Sequence, residues 1–308
     1  MSTRPTKNYE LNFDAMDPEA VLGMTGKKYT AVNTWLAMFL GAVLTGVFYL
    51  ALYPFYARGA GQMIQMFFHG GTAHRSTVPY YTMFLTFWCL AFLFLKWRKL
   101  AVQRRALKFE VVPGRFSSFV ISRINARDIV TSIHNRVFGS EHFMALWRIE
   151  CALGNLDNIG HVSEVSAVMN DLAENDANFM ESTYTFPKGL IWAIPVLGFI
   201  GTVLGLSQAV GGFGAVVASG ADLETLKVSL SNVTSGLGIA FETTLIALVA
   251  ALVIQLLMTL LIQKEEEFLD ACSSYCYDNV TSRLRVDDLR AAPDTESAVP
   301  SEVPGMKS

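Results

Sequence analysis

Hydrophobic positions are concentrated in four long stretches, arranged as two pairs on either side of a more polar middle segment. The stretches run from Thr34 to Pro54, from Val78 to Trp97, from Lys188 to Val210 and from Val233 to Gln263. A helix needs about 20 mostly apolar residues to cross the hydrocarbon core of a bilayer, and each stretch is long enough. The pattern predicts an all-α integral membrane protein with four transmembrane helices.

The hydrophobic pattern divides the chain into six segments. They are a cytoplasmic N-terminal segment (1–33), transmembrane helices 1 and 2 with their outer loop (34–97), a helical cytoplasmic domain (98–187), transmembrane helices 3 and 4 (188–263), a cytoplasmic helix (264–290) and a disordered tail (291–308). Within the middle domain, apolar residues at helical spacing predict amphipathic helices over Ile124–Phe138 and Phe143–Leu156, with breaks at Gly139 and Gly160. The tail is rich in Pro, Ser, Ala and Glu, a composition typical of disorder.

Basic residues next to the spans predict the orientation of the chain in the membrane. Lys27 and Lys28 precede the first span, and six lysines or arginines follow the second between Lys96 and Lys108. The opposite connections, predicted over 55–77 and 211–230, carry only three basic residues together. Because basic loops stay in the cytoplasm, both termini are predicted to be cytoplasmic. The polar first 30 residues also lack the apolar core of a secretory signal, so the first span is expected to direct insertion.

Composition removes several classes of function. Hydrophobic residues make up 52% of the chain and charged residues 17%, which is too apolar for an ordinary soluble domain. The net charge of -3 gives no indication of nucleic-acid binding. The sequence has no phosphate-binding glycine loop, no HExxH motif and no nucleophile elbow, and its cysteines and histidines are scattered. We therefore predict a protein in contact with the bilayer that is not an enzyme and carries neither a metal nor another cofactor.

The third span carries two adjoining rows of small residues. Gly201 and Gly205 lie four positions apart, as do Gly198 and Thr202, so each pair shares one side of the helix. Such rows let a neighbouring helix approach closely, and they occur both at simple packing interfaces and beside pores. Pro195 removes a backbone donor from the same helix and is expected to kink it. The third span alone leaves packing and a pore equally open.

The fourth span carries a polar stripe into the membrane. Ser231, Ser235, Gly238 and Glu242 follow one another at three- or four-residue spacing, and Thr243 and Thr244 come next. A charged carboxylate in the middle of a span costs at least about 2.5–3.5 kcal/mol, so Glu242 should face a bundle interior or water. One interpretation is a hydrated ion path lined by the threonines. The other is that the threonine hydroxyls bond to their own helix carbonyls and that Glu242 meets a basic residue at an interface.

Both spans resemble one known family. The segment Pro195 to Gly205, PVLGFIGTVLG, is similar to the third-span pattern P-x-L-G-x-x-G-T-V-x-G of the MotA/TolQ/ExbB proton-channel family. The segment Gly236 to Ala251 is similar to the following span of that family, G-I-x-x-A-L-x-T-T-A-x-G-L-x-x-A. The motifs are closest to the TolQ/ExbB branch, whereas the four-span layout resembles MotA.

The resemblance implies a subunit of a rotary, stator-type motor in the bacterial inner membrane. It implies a homo-oligomer, a pentamer, around two copies of a single-span MotB/TolR/ExbD-like partner whose membrane aspartate carries the ion. Thr202 and either Thr243 or Thr244 would face that aspartate. Glu242 is a further candidate for the ion path only because it lies in the polar stripe of the fourth span, not because of the resemblance. Proton or sodium passage would drive mechanical work across the envelope, such as biopolymer or protein transport.

Two positions depart from the family pattern. Ala247 stands where the pattern has a second glycine, and it still permits close packing but removes some backbone freedom. Glu242 stands at an open position of the pattern that is usually apolar. The acidic residue that some members carry earlier in this span would fall at Ile239, so the resemblance assigns Glu242 no role. The alternative function is a secondary transporter or membrane scaffold in which Glu242 is a substrate or ion site.

Overall fold

The structure is a computed structural model that describes residues 9–21, 23, 28–59, 62–68, 77–111, 120–154, 156 and 162–284. Most of these residues are helical. The α-helices are α1 Phe13–Met16, α2 Pro18–Val21, α3 Thr34–Ala57, α4 Gln62–Gln65, α5 Val78–Ala106, α6 Arg123–Arg136, α7 Met144–Gly154, α8 Val162–Ser182, α9 Thr185–Ala218 and α10 Leu223–Asn279. Strands β1 (Leu11–Asn12) and β2 (Val137–Phe138) form a short parallel pair, and 3-10 turns cover Ser140–His142 and Thr281–Arg283.

Four helical segments are long and apolar enough to cross a membrane. They contain α3, α5, α9 and α10, respectively. Helix α3 packs against α5, α9 packs against α10, and α5 contacts both α9 and α10, so two helical hairpins meet along α5. The predicted all-α membrane architecture with four spans is confirmed.

The connection between α9 and α10 is shorter than the sequence predicts. The third apolar stretch ends at Val210 and the fourth begins at Val233, so the sequence predicts a connection over 211–230. Instead α9 continues to Ala218, Gly220 turns the chain with a φ of 68°, and the Asp222 side chain accepts a hydrogen bond from the Thr225 backbone N–H at 3.4 Å to cap α10. A helix satisfies its own backbone groups, which offsets the weak helix propensity of the glycines at 211, 212 and 214 where water is scarce.

Helix α10 extends well beyond the fourth apolar stretch. The fourth span and the helix predicted after Gln263 form one continuous helix that ends at Asn279, as the sequence past Lys264 indicates. Helix α9 likewise continues through Pro195 from Thr185 to Ala218. The predicted tail over 291–308 lies outside the described residues.

The helical bundle outside the apolar spans, predicted to be cytoplasmic, is built from three separate parts of the chain. Helices α6 and α7 agree with the amphipathic pattern, and Gly139 between them has a φ of 75°, which confirms the predicted break there. Gly160, the second predicted break, is outside the described residues. The N-terminal segment contributes Phe13 to the bundle core, and the end of α10 contributes Cys276. The predicted middle domain therefore does not form its core alone.

Three buried ion pairs hold these parts together. Lys96 of α5 lies 2.9 Å from Glu265 of α10, Lys99 of α5 lies 2.7 Å from Glu19 of α2, and Arg148 of α7 lies 2.6 Å from Asp176 of α8. Burial raises the pKa of Asp176, and the adjacent Arg148 guanidinium opposes that rise. Removing one member of a buried pair leaves the other charge uncompensated. These pairs therefore fix how the membrane helices meet the bundle.

Candidate functional site

Small residues bring α9 and α10 into close contact. A Cβ atom added at Gly198 would lie 2.5 Å from the Cβ of Ala247, and one added at Gly205 would lie 3.0 Å from the Cβ of Ala240. A Cβ at Gly201 would lie 2.7 Å from Oγ1 of Thr243. The row of small residues on α9 therefore faces the small residues of α10, with no room for larger side chains.

Two threonine hydroxyls bridge this interface. Thr202 Oγ1 on α9 donates toward the Ala240 carbonyl oxygen on α10 at 3.1 Å, and Thr244 Oγ1 on α10 donates toward the Gly198 carbonyl oxygen on α9 at 3.0 Å. The two hydroxyls also hydrogen-bond to each other. The bonds run in both directions across the helix pair, and both side chains are half-buried.

The hydroxyls of Thr202 and Thr244 have more hydrogen-bond acceptors around them than they have protons to donate. Each hydroxyl donates one proton and accepts through two lone pairs. Two protons are therefore shared among the Ala240 and Gly198 carbonyl oxygens and the two hydroxyl oxygens. Because the donors can exchange acceptors without moving heavy atoms, Thr202 and Thr244 can accept from or donate to a polar group that approaches from the exposed side.

Thr243 has a different environment from Thr244. Its Oγ1 donates to the Ala240 carbonyl oxygen of its own helix at 2.8 Å, and the residue is only 4% exposed. It lies against Gly201 within the helix pair. The sequence did not decide whether Thr243 or Thr244 is the partner of Thr202. In the structure, the partner is Thr244.

Three other residues singled out by the sequence lie apart from this contact. Glu242 is half-buried, and in the part of the chain that the structure describes it forms no hydrogen bond or ion pair. Gly238 is exposed, and a Cβ there would have no described neighbour within 4 Å. Pro195 is half-buried, one turn before Gly198. Glu242 and Gly238 therefore do not contribute to the α9–α10 contact.

The sequence did not predict how far the helix contact extends outward. Gly236 continues it, because a Cβ at Gly236 would lie 2.8 Å from the Cβ of Ala209. Beyond Gly236, α9 and α10 enclose a cavity of about 240 Å³ that includes the buried Ser229 and also Asn232. One pattern in the sequence does indicate this longer interface. Small residues recur every three or four positions along α10, at positions 236, 240, 243, 247 and 251.

Comparison with known proteins defines the class of this membrane protein. Residues 152–273 match the model of the MotA/TolQ/ExbB proton channel family. The matched segment covers less than half of the chain and contains α8, α9 and most of α10, with the whole glycine and threonine contact. The chain is therefore similar to this family over its third and fourth spans. The match is to the family as a whole and not to one of its branches. No curated protein and no solved structure matches the chain.

Replacing Gly198 with alanine is expected to destabilise the helix pair. The new methyl group would meet the Cβ of Ala247 at 2.5 Å, and overpacking of this kind costs about 1–3 kcal/mol. The variant Ala247→Gly should restore room, so the double variant is expected to recover much of the loss. Unfolding of the full chain in detergent measures both effects.

The matched control for this experiment is Gly189→Ala on the same helix. Gly189 is exposed, and its added Cβ would meet no described atom within 4 Å, so the control isolates the helix propensity of alanine. If Gly198→Ala and Gly189→Ala have the same free energy of unfolding, the close contact between Gly198 and Ala247 is contradicted.

Proposed function

We propose that this chain is the ion-conducting subunit of a stator-type motor complex in the bacterial inner membrane, with both termini in the cytoplasm. The match of residues 152–273 to the MotA/TolQ/ExbB proton channel family supports a channel component rather than an enzyme. The finer proposal is that the chain forms a ring of five copies and conducts protons. The complex would use the ion gradient to do mechanical work across the envelope.

The observation that carries this proposal is the hydroxyl pair of Thr202 and Thr244. It lies within the matched segment, in two helices able to cross a membrane, at a contact built from small residues. An ion carrier in a membrane needs polar groups that replace water without adding a fixed charge, and two exchangeable hydroxyls provide them. Thr243, turned to its own helix, would instead maintain the close contact.

The partner supplies what this chain lacks at that site. In the described residues the hydroxyl pair has no carboxylate beside it, and Glu242, the nearby acidic residue in sequence, makes no polar contact within the chain. We infer that two copies of a single-span MotB/TolR/ExbD-like protein stand inside the ring, each with a membrane aspartate facing Thr202 and Thr244. Glu242 would lie near the same path, toward water or another chain.

The ion gradient is large enough to drive such a motor. Each elementary charge that crosses the membrane releases about 2.3 kcal/mol per 100 mV of potential. The hydroxyl pair serves a proton or a sodium ion, and the family favours the proton. The partner aspartate would be protonated from the outer side, pass the threonines as a neutral acid, and release its proton toward the cytoplasm.

The native mass of the purified full chain tests the architecture. We expect a pentamer in detergent, and co-expression with a single-span partner encoded beside it should add two partner chains. A partner whose membrane aspartate is replaced by asparagine is the control, because it should assemble equally well without conducting. A monomer or dimer that stays so with the partner present would contradict the ring. Glu242 would then be the site to test in a secondary transporter or scaffold.

A further inference from the structure

Helices α3, α5 and α10 leave an apolar groove between them, on the side of α10 away from the threonine pair. The groove has a volume of about 500 Å³. Its walls include Leu40 and Leu44 of α3, Phe94 and Trp97 of α5, and Leu260 and Lys264 of α10. Apart from Lys264 and Trp97, every residue that lines the groove is apolar. The groove therefore offers an apolar surface along its length and one charge.

The length of the groove matches one leaflet of a bilayer. Its lining on α5 extends from Phe87 to Trp97, which is about 15 Å along a helix. The hydrocarbon core of a bilayer is about 30 Å thick, so this distance is about half of it. The groove ends at Trp97, next to the basic segment that follows the second span. It therefore lies in the leaflet on the basic, cytoplasmic side.

The polar end of the groove is cationic. Lys264 lines it, with Nζ 2.8 Å from the Glu267 carboxylate, and Arg104 donates a hydrogen bond to the Lys264 carbonyl oxygen at 2.8 Å. Arg98 is exposed directly after Trp97. Lys264 and Arg104 both lie within 4 Å of the Glu267 carboxylate, and Arg98 adds a third basic side chain beside Trp97, so the basic side chains at this end, the rim of the groove, outnumber the one carboxylate paired with them. Tryptophan and basic residues at this depth are typical of contact with lipid headgroups.

We propose that this groove binds one acyl chain of an anionic phospholipid, with the phosphate held at the rim by Lys264 and Arg98. The groove is apolar along its length and charged at one end, as a phospholipid is. A helix from another copy would need apolar contacts along the whole groove and would leave the cationic rim without an anion. The proposal is independent of the ion path, because no groove residue belongs to the threonine site.

Lipid retained through purification tests the proposal. The full chain is delipidated in detergent, incubated with phosphatidylglycerol or with phosphatidylcholine of the same acyl chains, and examined by native mass spectrometry. We expect phosphatidylglycerol to be retained in preference to phosphatidylcholine. Lys264→Gln should reduce that preference about fivefold, the effect of one basic residue near an anionic surface. Lys227→Gln, on the opposite side of the membrane, should leave it unchanged.

A groove-filling variant tests the acyl-chain site separately. Leu260 is 59% exposed and lines the groove, so Leu260→Trp should fold and should lose the retained lipid. Leu256 is 58% exposed on the same helix but does not line the groove, so Leu256→Trp should retain it. Equal retention of both lipids, or no retention, would refute the proposal. A changed oligomeric mass in Leu260→Trp would instead show that the groove is a contact between copies.

Discussion

Replacing Thr202 and Thr244 together with valine is expected to abolish partner-dependent proton flux while the complex still assembles. Valine matches threonine in shape but has no hydroxyl, so the hydrogen bonds across the α9–α10 contact disappear and the apolar packing remains. The neutral aspartic acid of the partner would then pass without its two hydroxyl partners, and a buried polar group left unsatisfied costs about 1–3 kcal/mol per lost bond, so conduction should slow at least about tenfold. A pH-sensitive dye inside proteoliposomes that contain the complex measures the flux.

Serine at both positions is the matched rescue, because it keeps both hydroxyls and should retain most of the flux. Thr259→Val is the negative control, since the Thr259 hydroxyl donates to the Gln255 carbonyl oxygen of its own helix at 2.9 Å, away from the pair. Flux that survives the double valine variant in an intact complex would remove Thr202 and Thr244 from the mechanism. The same result would leave the lipid groove untouched.

Breaking the buried ion pair between Lys96 and Glu265 is expected to give the largest loss of stability. Both side chains are nearly inaccessible, and the Lys96 ammonium group also donates to Thr183 Oγ1 at 2.7 Å and lies 4.3 Å from the centre of the Tyr184 ring. Glu265→Gln leaves this buried charge uncompensated, which costs about 3–5 kcal/mol. Denaturant unfolding of the purified chain in detergent measures the change.

The exposed pair Lys264 and Glu267 supplies the control on the same helix. Its side chains are half-exposed and screened by water, so Glu267→Gln should lower the free energy of unfolding far less than Glu265→Gln does. The double variant Lys96→Met with Glu265→Leu should be more stable than Glu265→Gln, because no buried charge remains. Similar losses for Glu265→Gln and Glu267→Gln would show that the buried pair does not stabilise the fold.

The sequence predicted features that depend on neighbouring residues. The four spans follow from runs of apolar residues, and the break at Gly139 follows from a glycine between two amphipathic patterns. The contact face of α9 follows from the spacing of Gly198, Gly201 and Gly205, because a fixed helical period determines which residues share a side. Each of these inferences needs only about one helix of sequence.

The features that the sequence did not predict depend on distant residues. Lys96 was interpreted as a marker of orientation, yet its partner Glu265 is 169 positions further along the chain. The choice of Thr244 over Thr243 depends on how α10 is rotated against α9, which one helix pattern cannot determine. The short connection was missed because the prediction took the ends of the apolar stretches as the ends of the helices, whereas α9 continues to Ala218 and α10 begins at Leu223.

Helix α10 contains both the threonine contact and Glu265 of the buried ion pair in one continuous helix. It contains 57 residues, about 85 Å of continuous helix, and its sequence has neither glycine nor proline after Gly238. Thr243 and Glu265 are 22 positions apart, about six whole turns, which places both on the same buried side. A single inserted residue between them would rotate Glu265 by about 100° relative to the threonine contact. The rotation of α10 against α9 is thus coupled to the position of Glu265 in the helical bundle at the far end of the helix.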